Sequence, residues 1–312
     1  MGNISVVINT LNEEKNIERA LRSVTWADEA IIVDDGSTDG TLGILEKLKV
    51  KSLDSARDKS EKLKVFKHKS KGYVEPARNF AINKASGDWI LILDADEEIP
   101  DTLVHRLKDI AENLQQIDFV EIPRKNIIFG KWMKASMWWP DYQIRFFKNG
   151  AVRWSDKIHI PPIAEGQALK LEPEERWAIL HHHYDSIFQF VERMNRYTDV
   201  QARDLVKRGY KFDWRDLITK PVGEFLGRFF ANRGFEDGLH GLALSLLQAF
   251  SFLVMYLRVW EIEKYPQKEI ELKNLKEIKN KMGYEINFWF KYGNLSKNPF
   301  KRFIQKIGNT VR

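Results

Sequence analysis

The 312-residue chain contains no cysteine, which excludes disulfides and thiolate-bound metals and fits a reducing compartment. No secretory leader is expected: the start, Met-Gly-Asn-Ile-Ser-Val-Val-Ile-Asn, has neither a basic n-region nor a long apolar h-region and reads as a first β-strand. N-myristoylation is not expected either, because Val6 stands where the signal after Gly2 needs Ser or Thr. No Gly-rich run ends in Lys-Ser/Thr, so there is no phosphate loop. No Gly-x-Gly-x-x-Gly follows the first strand, so there is no dinucleotide fingerprint.

Charge is present in quantity but unevenly placed. The formal net charge of +6 suits anionic partners such as phosphates or an acidic lipid surface. From Lys264 to Arg312, 12 Lys/Arg stand against 4 Asp/Glu, so the excess sits at the C-terminal end. Most of the 10 tryptophans lie beyond residue 130. Aromatic and basic residues gathered at one end predict contact with a membrane surface.

The first hundred residues alternate in type. Apolar runs at 4–8, 30–33, 63–68 and 89–93 predict strands, and 17–24, 38–49, 75–85 and 102–113 predict helices. That order predicts βαβ units and a parallel sheet. The charged stretch 51–62 reads as a solvated extension. Beyond Phe119, strands at 119–124, 144–147, 151–154 and 176–182 extend the sheet around an aromatic loop. A helix over 187–208 is expected to use Phe188, Val191, Met194 and Tyr197 as its apolar stripe. Residues 224–232 and the lysine-rich 272–282 also read as helical. The longest apolar run, 239–260, approaches the roughly 20 residues of a membrane span. His240 and Gln248 favour a helix packed on the protein or lying in the bilayer interface. Residues 286–307 mix Phe, Trp and Tyr with Lys and Arg, as an interfacial anchor does.

Two acidic clusters end predicted strands, where open α/β sheets bind ligands. Asp94-Ala95-Asp96 leaves the run Trp-Ile-Leu-Ile-Leu. Carboxylates at i and i+2 point the same way and can share one hard divalent cation, Mg²⁺ or Mn²⁺, that bridges to phosphate oxygens. Glu97 and Glu98 follow, and a cation would relieve the repulsion among four acids. In Asp34-Asp35-Gly36-Ser37-Thr38-Asp39-Gly40, turn formation and helix capping explain the glycines and part of the polar set. They leave a carboxylate for a base N–H or a ribose hydroxyl. Lys71, Arg78 and Asn79 lie between the clusters, and Arg78 can fork onto a phosphate. Asp141, Asp156 and Glu165 are candidate bases for taking a proton from an acceptor hydroxyl. The triple histidine 181–183 has no acid at ligand spacing, so packing or substrate hydrogen bonding is expected there rather than zinc.

These residues together resemble glycosyltransferase family 2, the A-type nucleotide-sugar transferases. The matching segments run from Val7 through Asn12-Glu13-Glu14, from Val33-Asp34-Asp35-Gly36 to Thr41, across Ala77-Arg78-Asn79, and from Ala85-Ser86-Gly87-Asp88 to Asp94-Ala95-Asp96-Glu97. The resemblance implies an α/β fold of the glycosyltransferase A-type. Its central sheet is Rossmann-like, mostly parallel and flanked by helices, with a C-terminal helical aromatic and basic extension. It divides the chain into a nucleotide-sugar-binding half (1–118), an acceptor-side half of the same catalytic domain (119–185) and a helical, membrane-surface region (186–312). It implies donor contacts from Thr10, Asn12, Glu13, Asp34, Asp35, Lys71, Arg78 and Asp94, and a Mg²⁺ or Mn²⁺ ion on Asp94 and Asp96.

Beyond residue 120 the chain resembles the bacterial lipopolysaccharide-core glucosyltransferase-like branch. The supporting pieces are Trp139-Pro140-Asp141-Tyr142-Gln143-Ile144-Arg145, Val152-Arg153-Trp154, His159, His182-His183-Tyr184, Asn195-Arg196-Tyr197-Thr198 and Gly234-Phe235-Glu236-Asp237-Gly238. This places Trp139, Arg145, His159 and His182 on the acceptor side. Where that branch has His followed by Glu, this chain has His159-Ile160, so the base falls to Asp141, Glu165 or Asp156. The processive signature Gln-x-x-Arg-Trp is absent, which implies single-sugar transfer.

The expected reaction is an inverting, metal-assisted displacement. It moves one hexose, glucose from UDP-glucose in the first instance, onto a lipid-linked or cell-surface glycan. The expected location is cytoplasmic, peripheral on the inner face of an anionic membrane. Nucleic acid is not an expected partner, because acids at the strand ends repel a phosphate backbone. The alternatives are a soluble or protein acceptor, or a non-catalytic module that binds anionic surfaces.

Overall fold

A computed structural model describes residues 2–54, 62–69, 75–155 and 161–292. Lys71, Asp156, His159 and Ile160 lie outside the described residues, as does the 293–307 part of the expected anchor. The chain divides into two compact units, Met1–Ile127 with Pro140–His183, and Ile128–Trp139 with Tyr184–Arg312. The excursion Ile128–Trp139, expected with the acceptor-side strands, thus groups with the helical region.

The first unit begins β1 (Ile4–Thr10), α1 (Ile17–Arg22), β2 (Glu29–Asp34), α2 (Thr41–Asp54), β3 (Leu63–Lys67), α3 (Glu75–Ile82), β4 (Trp89–Asp94), β5 (Glu97–Glu98) and α4 (Asp101–Asn113). It continues with β6 (Phe119–Ile128); β7 (Lys131–Trp132) belongs to the excursion. The unit resumes with β8 (Asp141–Lys148), β9 (Val152–Arg153), β10 (Ile163–Ala164), β11 (Ala168–Lys170) and β12 (Ile179–Tyr184). The sheet runs β3-β2-β1-β4-β8-β6-β12-β5, with β11 beside β6. Strands β3, β2, β1 and β4 are parallel, and β8 joins β4 antiparallel.

Every residue of β1 is buried, as a strand covered on both faces requires. Its side chains alternate between two cores. Val6 and Ile8 join Ile32, Leu91 and Leu93 against α1 and α4, through Ile17, Leu21, Leu103, Leu107 and Ile110. Val7 joins Ile31, Val33, Ile90 and Ile92 against Ala77, Ala81 and Ile82 of α3. This two-residue period is the pleat of a strand. Because β1 leads outward to β2 and β3 while β4 returns on its other side, the strand order reverses between β1 and β4. A crevice opens at such a switch point, beyond the carboxyl ends of the strands.

The second unit contains α5 (Ile187–Lys207), α6 (Asp216–Leu226), α7 (Leu239–Ile262) and α8 (Leu272–Tyr292). The helix expected over 224–232 starts earlier, as α6, and gives way to a π-turn at Gly227–Ala231. The expected apolar stripe of α5 is corrected. Phe188, Val191 and Tyr197 are exposed, and the buried row is Phe190, Met194, Thr198 and Ala202. Residues four apart follow the ridge that packs along a neighbouring helix. Phe190 and Met194 meet Leu244 of α7, and Ala202 meets Met255, Tyr256 and Val259. Gly241 permits the tightest approach: a Cβ there would stand 1.8 Å from the Gly234 carbonyl oxygen.

Candidate active site

The switch point brings the sequence-predicted residues into register. Thr10 lies opposite Asp34, and Asn9 opposite Asp94. Asn12, held at φ +57°, locks the loop after β1 to the loop after β2. Its side-chain oxygen accepts from Thr38 N (2.8 Å), and its own N–H donates to Ser37 Oγ (2.9 Å). Glu13 N donates to Thr41 Oγ1 (2.9 Å). Asp34 accepts from the N–H groups of Gly36 and Ser37, so its carboxylate closes the turn. Asp35 bonds His68 Nδ1 at 2.6 Å. Both oxygen and nitrogen of the buried Asn9 amide and the Thr10 hydroxyl lack a partner among the described residues. Buried polar atoms are nearly always satisfied, so an unfilled cluster at a strand end is an observation that fits a polar ligand. Sequence reasoning missed Asn9; its amide in an otherwise apolar run, Val7-Ile8-Asn9, was the available signal.

Asp94 and Asp96 have different partners. Asp94 lies between two guanidiniums: Arg78 Nη2 at 2.7 Å, and Arg145 Nη2 on its other oxygen. Burial opposes its charge, but Arg145 and Arg78 overcome that and hold the carboxyl well below the usual range. Arg145 is itself buried and also donates to Glu97 Oε1 (2.9 Å). Glu97 accepts the Asp94 N–H at 2.9 Å and faces Arg124 at 3.2 Å. Arg145, expected on the acceptor side, therefore bonds the carboxylate assigned to the donor. The nitrogens Nε of Arg78 and Arg145 are left without a partner among the described residues.

Asp96 lies on the other side of the turn. The antiparallel pairing of β12 with β5 sets His181 opposite Glu97, and His182 N donates to the Asp96 carbonyl (2.9 Å). Side chains alternate along a strand. His181 and His183 thus share the Asp96 face, while His182 Nε2 lies 3.7 Å from Glu98. Asp96, His181 and His183 each offer one ligand atom, and these lie within 4.8 Å of one another. His181 Nδ1 lies 2.6 Å from Asn126 Oδ1. An amide oxygen only accepts, so Nδ1 donates to it, and Nε2 faces Asp96 Oδ2 at 3.4 Å and His183 Nδ1 at 3.1 Å. One buried carboxylate and two imidazole nitrogens make a donor set that fits a divalent ion. Asp94, expected to share one cation with Asp96, is flanked by two guanidiniums, and among the described residues the cluster that could hold a metal ion contains Asp96 without Asp94. The expectation of ordinary packing for the histidines misses their meeting with Asp96, 85 residues earlier in the chain.

Of the three expected bases, Asp141 is tied to its neighbours. It accepts from Arg124 (2.6 Å), Asn126 (3.2 Å) and Gln143 (2.9 Å). Burial raises its carboxyl, but the Arg124 charge and these donors leave it lowered. The folded value lies below the unfolded one, so this stabilisation is present above about pH 4 and is lost as pH falls through the folded value. Asp141→Asn is expected to cost about 1–3 kcal/mol at pH 7, with a smaller gap to wild type at about pH 3. Urea unfolding at both pH values measures it. Glu165 is exposed beyond β10, and its N–H bonds Ala151 O at 2.9 Å. Trp139 belongs to the second unit, edge-on to Trp132 with ring centres 5.2 Å apart. Asn79 clips the Trp154 backbone with two hydrogen bonds, and the Arg78 guanidinium lies 5.8 Å from that ring.

The chain is similar to known proteins over most of its length. The description Glycosyl transferase family 2 matches residues 5–164. An uncharacterized glycosyltransferase of Rickettsia typhi is 30% identical over 272 residues, spanning 84% of this chain and 88% of the relative. The lipopolysaccharide core biosynthesis glycosyltransferase LpsC of Rhizobium meliloti is 24% identical, spanning 80% of this chain and 89% of its own. Among solved structures, TarS 1–349 of S. aureus in complex with UDP aligns with a TM-score of 0.44 at 18% identity, covering 86% of this chain and 94% of that one. The mannosyltransferase PcManGT of Pyrobaculum calidifontis, in complex with GDP-Man and Mn²⁺, aligns with a TM-score of 0.46 at 16% identity, covering 99% and 86%. A family match over half the chain, with relatives aligned along most of their length, shows that the chain belongs to glycosyl transferase family 2 and is a glycosyltransferase.

Proposed function

We propose that the chain transfers one hexose from a UDP-sugar, with inversion, to a lipid-linked glycan at the cytoplasmic face of a membrane. The observation that carries the reading is that one turn after β4 carries both Asp94, bonded to Arg78 and Arg145 and opposite Asn9, and Asp96, clustered with His181 and His183. Two imidazole nitrogens favour Mn²⁺ over Mg²⁺, which prefers oxygen throughout. When bound, the ion supplies neutralisation of the charge that grows on the leaving diphosphate.

The chain's own residues do the rest. Asn9, Thr10 and the Asn12 loop receive the nucleoside. Arg78, fixed by Asp94 at one nitrogen, directs the remainder of its fork at phosphate oxygens. Arg145 keeps Asp94 ionised, so that Asp94 stays an acceptor. A carboxylate removes the acceptor hydroxyl proton. Asp141 is the least suited of the three, because Arg124, Asn126 and Gln143 occupy its oxygens, and the role falls to Glu165 or Asp156. A thermal-shift screen of nucleotide-sugars with and without Mn²⁺ tests the reading. UDP-hexoses are expected to raise the unfolding temperature only with the ion. The absence of any shift with any nucleotide-sugar would overturn it.

A further inference from the structure

The outward line of α7 is apolar along most of its length. Leu239, Leu246, Phe250 and Leu257 follow at intervals of seven, four and seven residues, which at about 100° per residue keeps them in one narrow strip. They are 77, 53, 48 and 37% exposed. Leu242, Leu247 and Val254 border the strip, and the helix carries no charged residue before Arg258. The strip is not core. The opposite side, with Leu244, Ala249, Met255 and Val259, is buried within the unit.

Helix α8 carries a second outward strip of different chemistry. Lys281, Tyr284, Phe288 and Lys291 recur at intervals of three, four and three residues, and all are exposed. The helix holds five lysines against two glutamates. Phe290 packs on Phe230 of the π-turn at 5.2 Å. Phe229 of that turn meets Phe235 at 6.2 Å, just before α7 begins. The basic-aromatic helix is thus tied to the segment that leads into the apolar one.

We propose that the second unit docks on an anionic lipid surface, with the Leu239–Leu246–Phe250–Leu257 strip in the acyl boundary and the α8 lysines among the headgroups. This deepens the membrane reading above and names its contact face. A broad uncharged helix face and a lysine-rich aromatic helix, linked through the π-turn in one compact unit, supply the apolar and basic parts of an interfacial anchor. A second copy of the chain fits less well. Helix–helix seams are bordered by charged residues, whereas Leu242, Leu247 and Val254 border this one. Spanning also fits less well. Arg258 of α7 is bonded to Asn195 and Asp199 of α5. Carrying α7 through hydrocarbon would draw in α5 with Glu192, Arg193, Arg196 and Asp199, each costly there.

The test is co-sedimentation of the full chain with phosphatidylcholine vesicles, with and without phosphatidylglycerol. Wild type is expected to bind the anionic vesicles, and more weakly in high salt. Leu246→Ser with Phe250→Ser is expected to weaken binding at least tenfold. Lys281→Glu with Lys291→Glu is expected to remove only the preference for anionic lipid. Circular dichroism melts and the nucleotide-sugar thermal shift should stay unchanged in both variants, which separates this proposal from the donor site. Wild type that fails to sediment would overturn the docking and leave the transferase reading standing. Undiminished binding by the serine variant would overturn the α7 strip. A wild-type dimer that the serine variant turns into a monomer, with vesicle binding unchanged, would assign the strip to a second copy.

Discussion

Asp96→Ala is expected to lower transfer, measured as kcat/KM, by about 10³ and to abolish the Mn²⁺-dependent part of the thermal shift. The carboxylate is the one acid of that candidate cluster among the described residues, and two imidazoles without it would hold a divalent ion weakly. His181→Ala should follow at about 10²–10³. Asn126→Ala should cost about 10–100 in metal affinity, because that amide sets the His181 tautomer without touching the ion. His182→Ala, whose ring lies toward Glu98, should leave Mn²⁺ binding near wild type. Titration with Mn²⁺ at fixed donor, followed by nucleotide release, reads the series. If Asp96→Ala retained wild-type Mn²⁺ affinity, the cluster would not be the metal site.

The largest stability loss is expected from Arg145→Met. The guanidinium is buried between Asp94 and Glu97, with a pKa raised above the ordinary arginine value because attraction to those carboxylates outweighs burial. Removing it leaves the buried Glu97 and the half-buried Asp94 with fewer partners. Breaking such a pair typically costs about 3–5 kcal/mol, or roughly 5–8 °C in the unfolding temperature of a chain this size. The loss should be full above about pH 4 and shrink in acid, because the Asp94 carboxyl is held low only in the folded state. Arg78→Met should behave differently. Asp94 keeps Arg145, so the fold should hold within about 1 kcal/mol, while donor affinity should fall about tenfold or more. Equal destabilisation by the two variants, measured by calorimetry, would show that Arg78 also serves the fold.

The first hundred residues were legible because their information is local. Buried strands such as Ile4–Thr10 and Trp89–Asp94 are continuous apolar runs, and turn chemistry marks their ends. Thr10, Asp34 and Asp94 could be placed at those ends because a parallel sheet with short connections leaves little choice of register. The face of α5 was not legible. Phe188, Val191 and Tyr197 are as apolar as Phe190 and Met194, and only the ridge along α7 decides which row is buried.

The sequence by itself determined the α/β alternation, the acidic strand ends, the family resemblance and the basic, aromatic C-terminal region. Those follow from residue type and short-range spacing, which propensity and periodicity read directly. The tertiary structure alone decided that Asp94 belongs to arginines and Asp96 to histidines. The turn that begins after Asp94 breaks the strand alternation that would have kept positions two apart on one face, and partners 51 and 85 residues away, Arg145 and His181, arrive on strands whose pairing no local pattern encodes.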